Sequence, residues 1–284
     1  MTSPTDSVLR ALTDDGSFRV IATRTTATVT GAAQTQKASG RTATYFGDLI
    51  TATILLRETM APGLRVQGIV RGKDATGTMV ADSNPGGTAR GLIQLAKGHD
   101  EIRVSGGFLQ MMRTLHDGRI QQGIVEIPGD GGVSAGMMRY MQSSEQVISV
   151  VAVGTLTHGE RILESGGYLV QLLPEAREGV LAVMTERLAD FPPIDTLLQS
   201  PDFTPARLVD EILYRMPYTV TEESSLRFEC NCSLVRVIAG LATLNPTEIQ
   251  SLIDEGGLLD ISCDFCGTRY EMPPEQLRGL LEKN

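Results

Sequence analysis

The texture of the 284-residue chain changes twice along its length, and the period of its apolar positions marks both changes. In the first 176 residues, short apolar runs alternate with turn-forming residues. Residues 17–30 (SFRVIATRTTATVT), rich in Thr and Val with partial alternation, are predicted as a strand. Residues 43–60 carry Phe46, Leu49, Ile50, Thr53 and Ile54 at helical spacing, and Pro62-Gly63 stops that helix. Runs of β type follow at 64–70, 78–82, 88–95, 101–104, 108–115 and 119–127. They are separated by breakers at Asn84 to Gly87, His116-Asp117-Gly118 and Pro128 to Gly132. A helix over about 134–143 leads to a strand at 147–156, a turn at His158-Gly159 and a last strand ending at Pro174. This is the pattern of a mixed α+β domain rich in antiparallel sheet. SGGFLQMM at 105–112 echoes SGGYLVQLL at 165–173, but a match this short is read as chance rather than as a repeat.

From Arg177 the pattern turns to helix without strand. Residues 178–190 and 205–216 are amphipathic, and Phe191-Pro192-Pro193 and Ser200-Pro201 break the segment. The second helix has Thr204 as N-cap and Pro205 at the first helical position, with Leu208, Val209, Ile212, Leu213 and Met216 on one face. Isolated helices below about 12–15 residues are marginal in water, so these must lean on another surface and are candidates for conditional folding.

The last stretch holds all four cysteines. Cys230-Asn231-Cys232 forms a C-x-C pair, and Cys263 and Cys266, followed by Gly267, form a C-x-x-C-G pair. Four soft ligands in two close pairs match a tetrahedral all-thiolate zinc site. The C-x-x-C-G turn aims both sulfurs at one ion, with Gly267 available for positive φ. In the C-x-C half, side chains two apart on an extended segment share a face. Iron–sulfur clusters commonly use other spacings, which favours zinc. Around the cysteines the chain predicts a helix at about 233–244, a second helix opened by Asn245, Pro246 and Glu248 as cap, first position and N3 acid, a short strand (LLDIS) and a last helix from Pro273-Pro274. A module this small cannot easily build a core, so metal binding is expected to supply much of its folding free energy.

Charge narrows the partners. Residues 1–176 carry 16 acidic and 16 basic side chains, residues 177–228 carry 9 and 5, and residues 229–284 carry 9 and 4. An acidic metal module is a poor fit to nucleic acid. No signal peptide is visible at the N-terminus, and the longest strongly apolar run, Val147 to Leu156, is too short to span a bilayer. The expected address is therefore the reducing cytoplasm, where paired cysteines serve as metal ligands or redox-active thiols. A closed structural zinc is the plainest reading of the residues alone. Catalytic zinc is disfavoured because four thiolates leave no open position. Dithiol oxidoreductase activity at Cys263 and Cys266 lacks the strand–helix setting of a thioredoxin motif. His99, His116 and His158 show no ligand or dyad spacing and read as surface residues. Gly68 to Lys73 is one residue short of a phosphate loop, with Asp74 where a hydroxyl residue belongs. Met111, Met112, Met137, Met138 and Met141 read as core, and Ser144-Glu145-Gln146 as a helix-end turn.

Phe228-Glu-Cys-Asn-Cys-Ser233 with Cys263-Asp-Phe-Cys-Gly-x-x-Tyr270 resembles the signature of the redox-regulated 33-kilodalton heat-shock chaperones. The helix LITATILLRETM, the segment Thr88-Ala-Arg90-Gly91, Tyr140-Met-x-Ser-Ser-Glu-Gln146 and Gly166-Gly-Tyr-Leu-Val-Gln-Leu-Leu-Pro174 resemble that family in the same order. Residues 95–104 and the turn from Arg71 to Gly77 match it poorly. The resemblance implies an ATP-independent holdase rather than an enzyme. Its parts would be an N-terminal client-binding and dimerisation domain (1–176), a metastable helical linker (177–228) and a C-terminal zinc redox switch (229–284). It implies that Cys230, Cys232, Cys263 and Cys266 hold one zinc per chain when reduced. Oxidation would pair Cys230 with Cys232 and Cys263 with Cys266. The implied partners are unfolded client proteins and a second copy of the chain in the active state. A constitutive zinc-stabilised scaffold and a dithiol oxidoreductase stand as the alternatives.

Overall fold

The helix Gly40–Glu58 (α2) is the axle of the larger unit of the protein. In the computed structural model, which describes residues 5–115, 117–174, 176 and 178–281, almost every residue of α2 from Phe46 onward is buried. A helix buried on every side must be enclosed on all sides, and α2, although it carries Asp48, Arg57 and Glu58, packs against the strands of two sheets. The first sheet contains Ser7–Thr13 (β1), Phe18–Arg24 (β2), Ser149–His158 (β8), Arg161–Leu172 (β9) and Tyr218–Ser225 (β10), in the order β10-β1-β2-β9-β8. The second contains Arg65–Arg71 (β3), Gly77–Asn84 (β4), Thr88–Leu95 (β5), Phe108–Thr114 (β6), Ile120–Glu126 (β7) and Arg227–Phe228 (β11), in the order β11-β5-β4-β3-β6-β7. Every pairing is antiparallel except β11 beside β5. Close approach of helix to sheet needs small residues: a Cβ on Gly91 would stand 2.4 Å from the Phe46 ring.

One core lies around α2 and includes Phe46, Leu49, Ile54, Met79, Met111, Met137 and Met141, with Met138 packed against it, whereas Met112 is only half-buried. Asp48 sits within this layer; burial pushes its carboxyl well above the ordinary range, helped by Asp195, while Thr155's hydroxyl opposes the shift. A second core lies on the opposite face of the five-stranded sheet. There Leu9, Ala11, Phe18, Val20, Ala22, Tyr168 and Val170 meet the helices Glu178–Ala189 (α4), Ile194–Leu198 (α5) and Pro205–Ile212 (α6) through Met184, Leu198, Leu208, Val209 and Ile212, together with Phe203 from the segment between α5 and α6. β2 is therefore covered on both faces, Ile21 toward α2 and Val20 and Ala22 toward the helices. α6 starts as its sequence predicts, with the Thr204 hydroxyl accepting from the Arg207 N–H. α4 is loosely seated: Met184 is its one fully buried residue, and apolar grooves of about 680 and 290 Å³ flank it.

Several expectations change here. Residues 17–30 are not one strand: β2 ends at Arg24 and the helix Thr26–Gln36 (α1) follows. Asp6 overrides the strand preference of this Thr-rich run by accepting from the backbone N–H groups of Ala27 and Thr28 and from the Thr28 hydroxyl. Residues 101–104 form no strand, because side chains of Thr42 and Thr76 take the N–H groups of Ile102 and Arg103. The stretch after residue 177 is not free of strand, since β10 pairs along β1. The expected helix end at 144–146 is seen: Val133–Tyr140 (α3) runs into a π turn over Met141–Glu145, and Gln146 takes φ 57°. His99 and His158 are exposed, whereas His116 and the boundary residue Arg177 lie outside the described residues.

Candidate metal centre

The chain divides into two compact units, Met1–Glu229 and Cys230–Asn284, and all four cysteines belong to the second. Its core is slight: Ile249, Ile253, Met272 and Leu277 are its fully buried apolar side chains among the described residues. The helices Leu234–Leu241 (α7), Pro246–Asp254 (α8) and Pro274–Leu281 (α9) surround the hairpin Leu259–Ser262 (β12) and Arg269–Met272 (β13). α8 carries the capping box its sequence predicts: Asn245 Oδ1 accepts from the Glu248 N–H, and Glu248 accepts from the Asn245 N–H.

The hairpin positions one cysteine pair. After β12 the chain turns back on itself, with Cys263 N–H donating to the Thr268 carbonyl at 2.9 Å and Gly267 N–H to the Cys263 carbonyl at 2.7 Å. Gly267 takes φ 71°, the left-handed conformation expected of it. The other pair precedes α7. Ser233 caps that helix by accepting from the Arg236 N–H, and the Arg236 guanidinium donates to the Asn231 carbonyl at 3.0 Å, tying down the middle of the C-x-C.

These two devices bring the four predicted residues together. The sulfurs of Cys230, Cys232, Cys263 and Cys266 lie within 4.8 Å of one another. Cys230 is 3.8 Å from Cys263 and Cys232 is 3.4 Å from Cys266, sulfur to sulfur. A tetrahedral ion with bonds of about 2.3 Å to thiolate needs sulfurs about 3.8 Å apart. The donor set and the spacing therefore fit zinc. All four cysteines are half-buried thiols with no disulfide among them. Two of the sulfurs, Cys263 and Cys266, differ in acidity. Burial pushes Cys263 up to about 12, whereas hydrogen bonds from Thr268, Cys232 and Cys230 outweigh the burial of Cys266 and bring it down to about 7. One thiolate in such a cluster raises the cost of the next unless a cation is shared between them.

Two neighbours of the sulfurs are not announced by cysteine spacing. The Tyr270 hydroxyl donates to Cys232 Sγ at 3.1 Å, and the Thr268 hydroxyl lies 3.2 Å from Cys266 Sγ. Tyr270 closes the C-x-x-C-G-x-x-Y motif, but only the hairpin register shows which way it faces.

No described helix is long and apolar enough to cross a membrane. The Hsp33 protein family model matches residues 6–273. A 33 kDa chaperonin of Syntrophotalea carbinolica is 30% identical over 287 residues, covering 97% of this chain and 99% of that protein. The 33 kDa chaperonin of Bacillus subtilis is 29% identical over 290 residues, with 98% and 99% covered. The crystal structure of the 33 kDa chaperonin (heat shock protein 33 homologue) of Thermotoga maritima superposes with a TM-score of 0.83 at 20% identity, covering 99% of both chains, so the fold is shared. With the family model spanning nearly its full length, the chain belongs to the Hsp33 family.

Proposed function

We propose that this protein is a redox-regulated, ATP-independent holdase of the cytoplasm, silent while reduced and zinc-bound and active once its four cysteines are oxidised. The observation that carries the reading is the four-sulfur cluster in a unit with so small a core. Relatives named 33 kDa chaperonin support the chaperone role. Cys230, Cys232, Cys263 and Cys266 would hold one zinc, which when bound keeps all four as thiolates. A thiolate attacks a hydroperoxide oxygen, the O–O bond breaks, hydroxide leaves and a sulfenic acid remains. A neighbouring thiolate then attacks that sulfur, forming S–S and expelling a second hydroxide. The family resemblance implies the pairs Cys230–Cys232 and Cys263–Cys266, although the short sulfur–sulfur distances of the reduced cluster run from Cys230 to Cys263 and from Cys232 to Cys266.

Loss of a structural zinc forfeits about 10–16 kcal/mol of apparent binding free energy. Four fully buried apolar side chains do not replace that. The second unit therefore unfolds, and we infer that residues 177–228 follow as a metastable linker. Their helices are the cover on the outer face of the five-stranded sheet, so their departure exposes Leu9, Phe18, Val20, Tyr168 and Val170 to unfolded clients. The active state would be a homodimer with no catalytic role.

The test is light scattering from a thermally unfolding client without ATP. Suppression by the peroxide-treated protein and none by the reduced protein supports the reading. Equal suppression by both points to a constitutive scaffold, and turnover of a disulfide substrate points to an oxidoreductase.

A further inference from the structure

Tyr270 stands apart from the other residues around the thiolates because it reaches from one half of the cluster to the other. It sits on β13, paired with Ile261 of β12 and two residues before Met272, the fully buried side chain of the same strand. Residues two apart on a strand share a face, so the face that anchors the hairpin in the core also carries Tyr270. Its hydroxyl crosses to Cys232, in the C-x-C half, and donates to that sulfur at 3.1 Å. Thr268, exposed and just before β13, has its hydroxyl 3.2 Å from Cys266, within its own half.

We propose that Tyr270 is a positioning residue of the thiolate centre: its hydroxyl fixes the Cys232 sulfur and lowers that sulfur's reactivity toward electrophiles, hydroperoxides included. A donor to a thiolate draws on the lone pairs that would attack an electrophile, and it holds the sulfur at the ion. In the step that is slowed, a Cys232 lone pair forms the S–O bond, the O–O bond breaks and hydroxide departs, so sulfur is oxidised and peroxide reduced. The hydroxyl thus delays loss of the C-x-C half. This inference rests on the proposal that the four cysteines hold a metal.

The experiment uses the full chain loaded with cobalt(II), whose thiolate charge-transfer bands report on the sulfurs, together with residue-resolved iodoacetamide labelling of the zinc form. Comparison is made between the unmodified protein, Tyr270→Phe and Thr268→Val. For Tyr270→Phe the charge-transfer band moves to longer wavelength and Cys232 labels about 10-fold faster, taken from the low end of what losing an outer-shell partner does to metal affinity, while labelling of Cys266 stays put. For Thr268→Val the gain falls on Cys266 instead. Equal acceleration at all four cysteines in Tyr270→Phe, with an unmoved band, means the ring only supports the fold and overturns the proposal. If Tyr270→Phe fails to fold, a Thr268→Val gain confined to Cys266 supports hydroxyl control of individual sulfurs, and a uniform one overturns it. Failure of the unmodified protein to give cobalt–thiolate bands refutes the metal reading itself, a result separate from either outcome at Tyr270.

Discussion

Ile212 offers the sharpest way to separate the helical cover from the body it covers. It is fully buried in the outer core, where α6 packs on β1 and β2. Its carbonyl also accepts from the Arg187 guanidinium at 2.7 Å, linking α6 to α4. Ile212→Ala keeps that backbone bond and removes only side-chain packing. Truncating a buried Ile to Ala costs about 2–5 kcal/mol. Because each 1.4 kcal/mol is a factor of ten, the open state of the cover becomes at least about 30-fold more populated. The core around α2 is a separate cluster and does not include Ile212. The expected result, by hydrogen exchange on the reduced protein, is acceleration of at least that size across 178–213, with α2 and β3 to β6 unchanged. A hydrophobic dye should bind without peroxide, and client aggregation should be partly suppressed. If α2 and β4 accelerate together with α6, the cover is part of one cooperative body and the reasoning fails.

Three further outcomes follow from particular contacts. Cys263→Ser removes one of four sulfurs, so zinc should no longer be retained and amide signals from 230–281 should collapse in a two-dimensional NMR spectrum, while those of α2 persist. Asp48→Asn should stabilise the protein increasingly as pH rises. The raised folded-state pKa means that Asp48's contribution is fully present below its unfolded value near 4 and is lost as pH climbs toward the folded value, whereas Asn does not titrate. Urea unfolding of both proteins across pH checks this, and a pH-independent difference would refute it. Gly87→Ala places a Cβ 2.1 Å from the Ser225 carbonyl oxygen at a residue with φ 74°. It should cost about 1–3 kcal/mol and loosen the end of β10, visible as faster exchange at 224–229.

Where the sequence was read correctly, local chemistry decides the structure. α2 and α6 follow from apolar period and breakers, α8 from its capping box, and the four-sulfur cluster from cysteine spacing. Where it misled, a distant partner decides. The Thr-rich end of the 17–30 run reads as strand, and Asp6, twenty or more residues away, caps it as the start of the helix Thr26–Gln36. β10 (YTVTEESS) has no buried face and hence no alternation to detect; it is a strand because β1 offers it an open backbone edge. The strand β13 hides for another reason: at four residues, with Met272 its one fully buried position, it is too short for its alternation to register, and the direction of the Tyr270 hydroxyl is hidden with it.

The most direct test of the central claim is one peroxide titration of the zinc-loaded protein at elevated temperature, with zinc release, thiol count and hydrogen exchange read from each sample. The account predicts that zinc leaves as four thiols disappear, that the second unit loses protection, and that 178–213 loses it next while α2 stays protected. Zinc release with the helices over the five-stranded sheet still protected would contradict it, leaving the metal a staple of its own small unit.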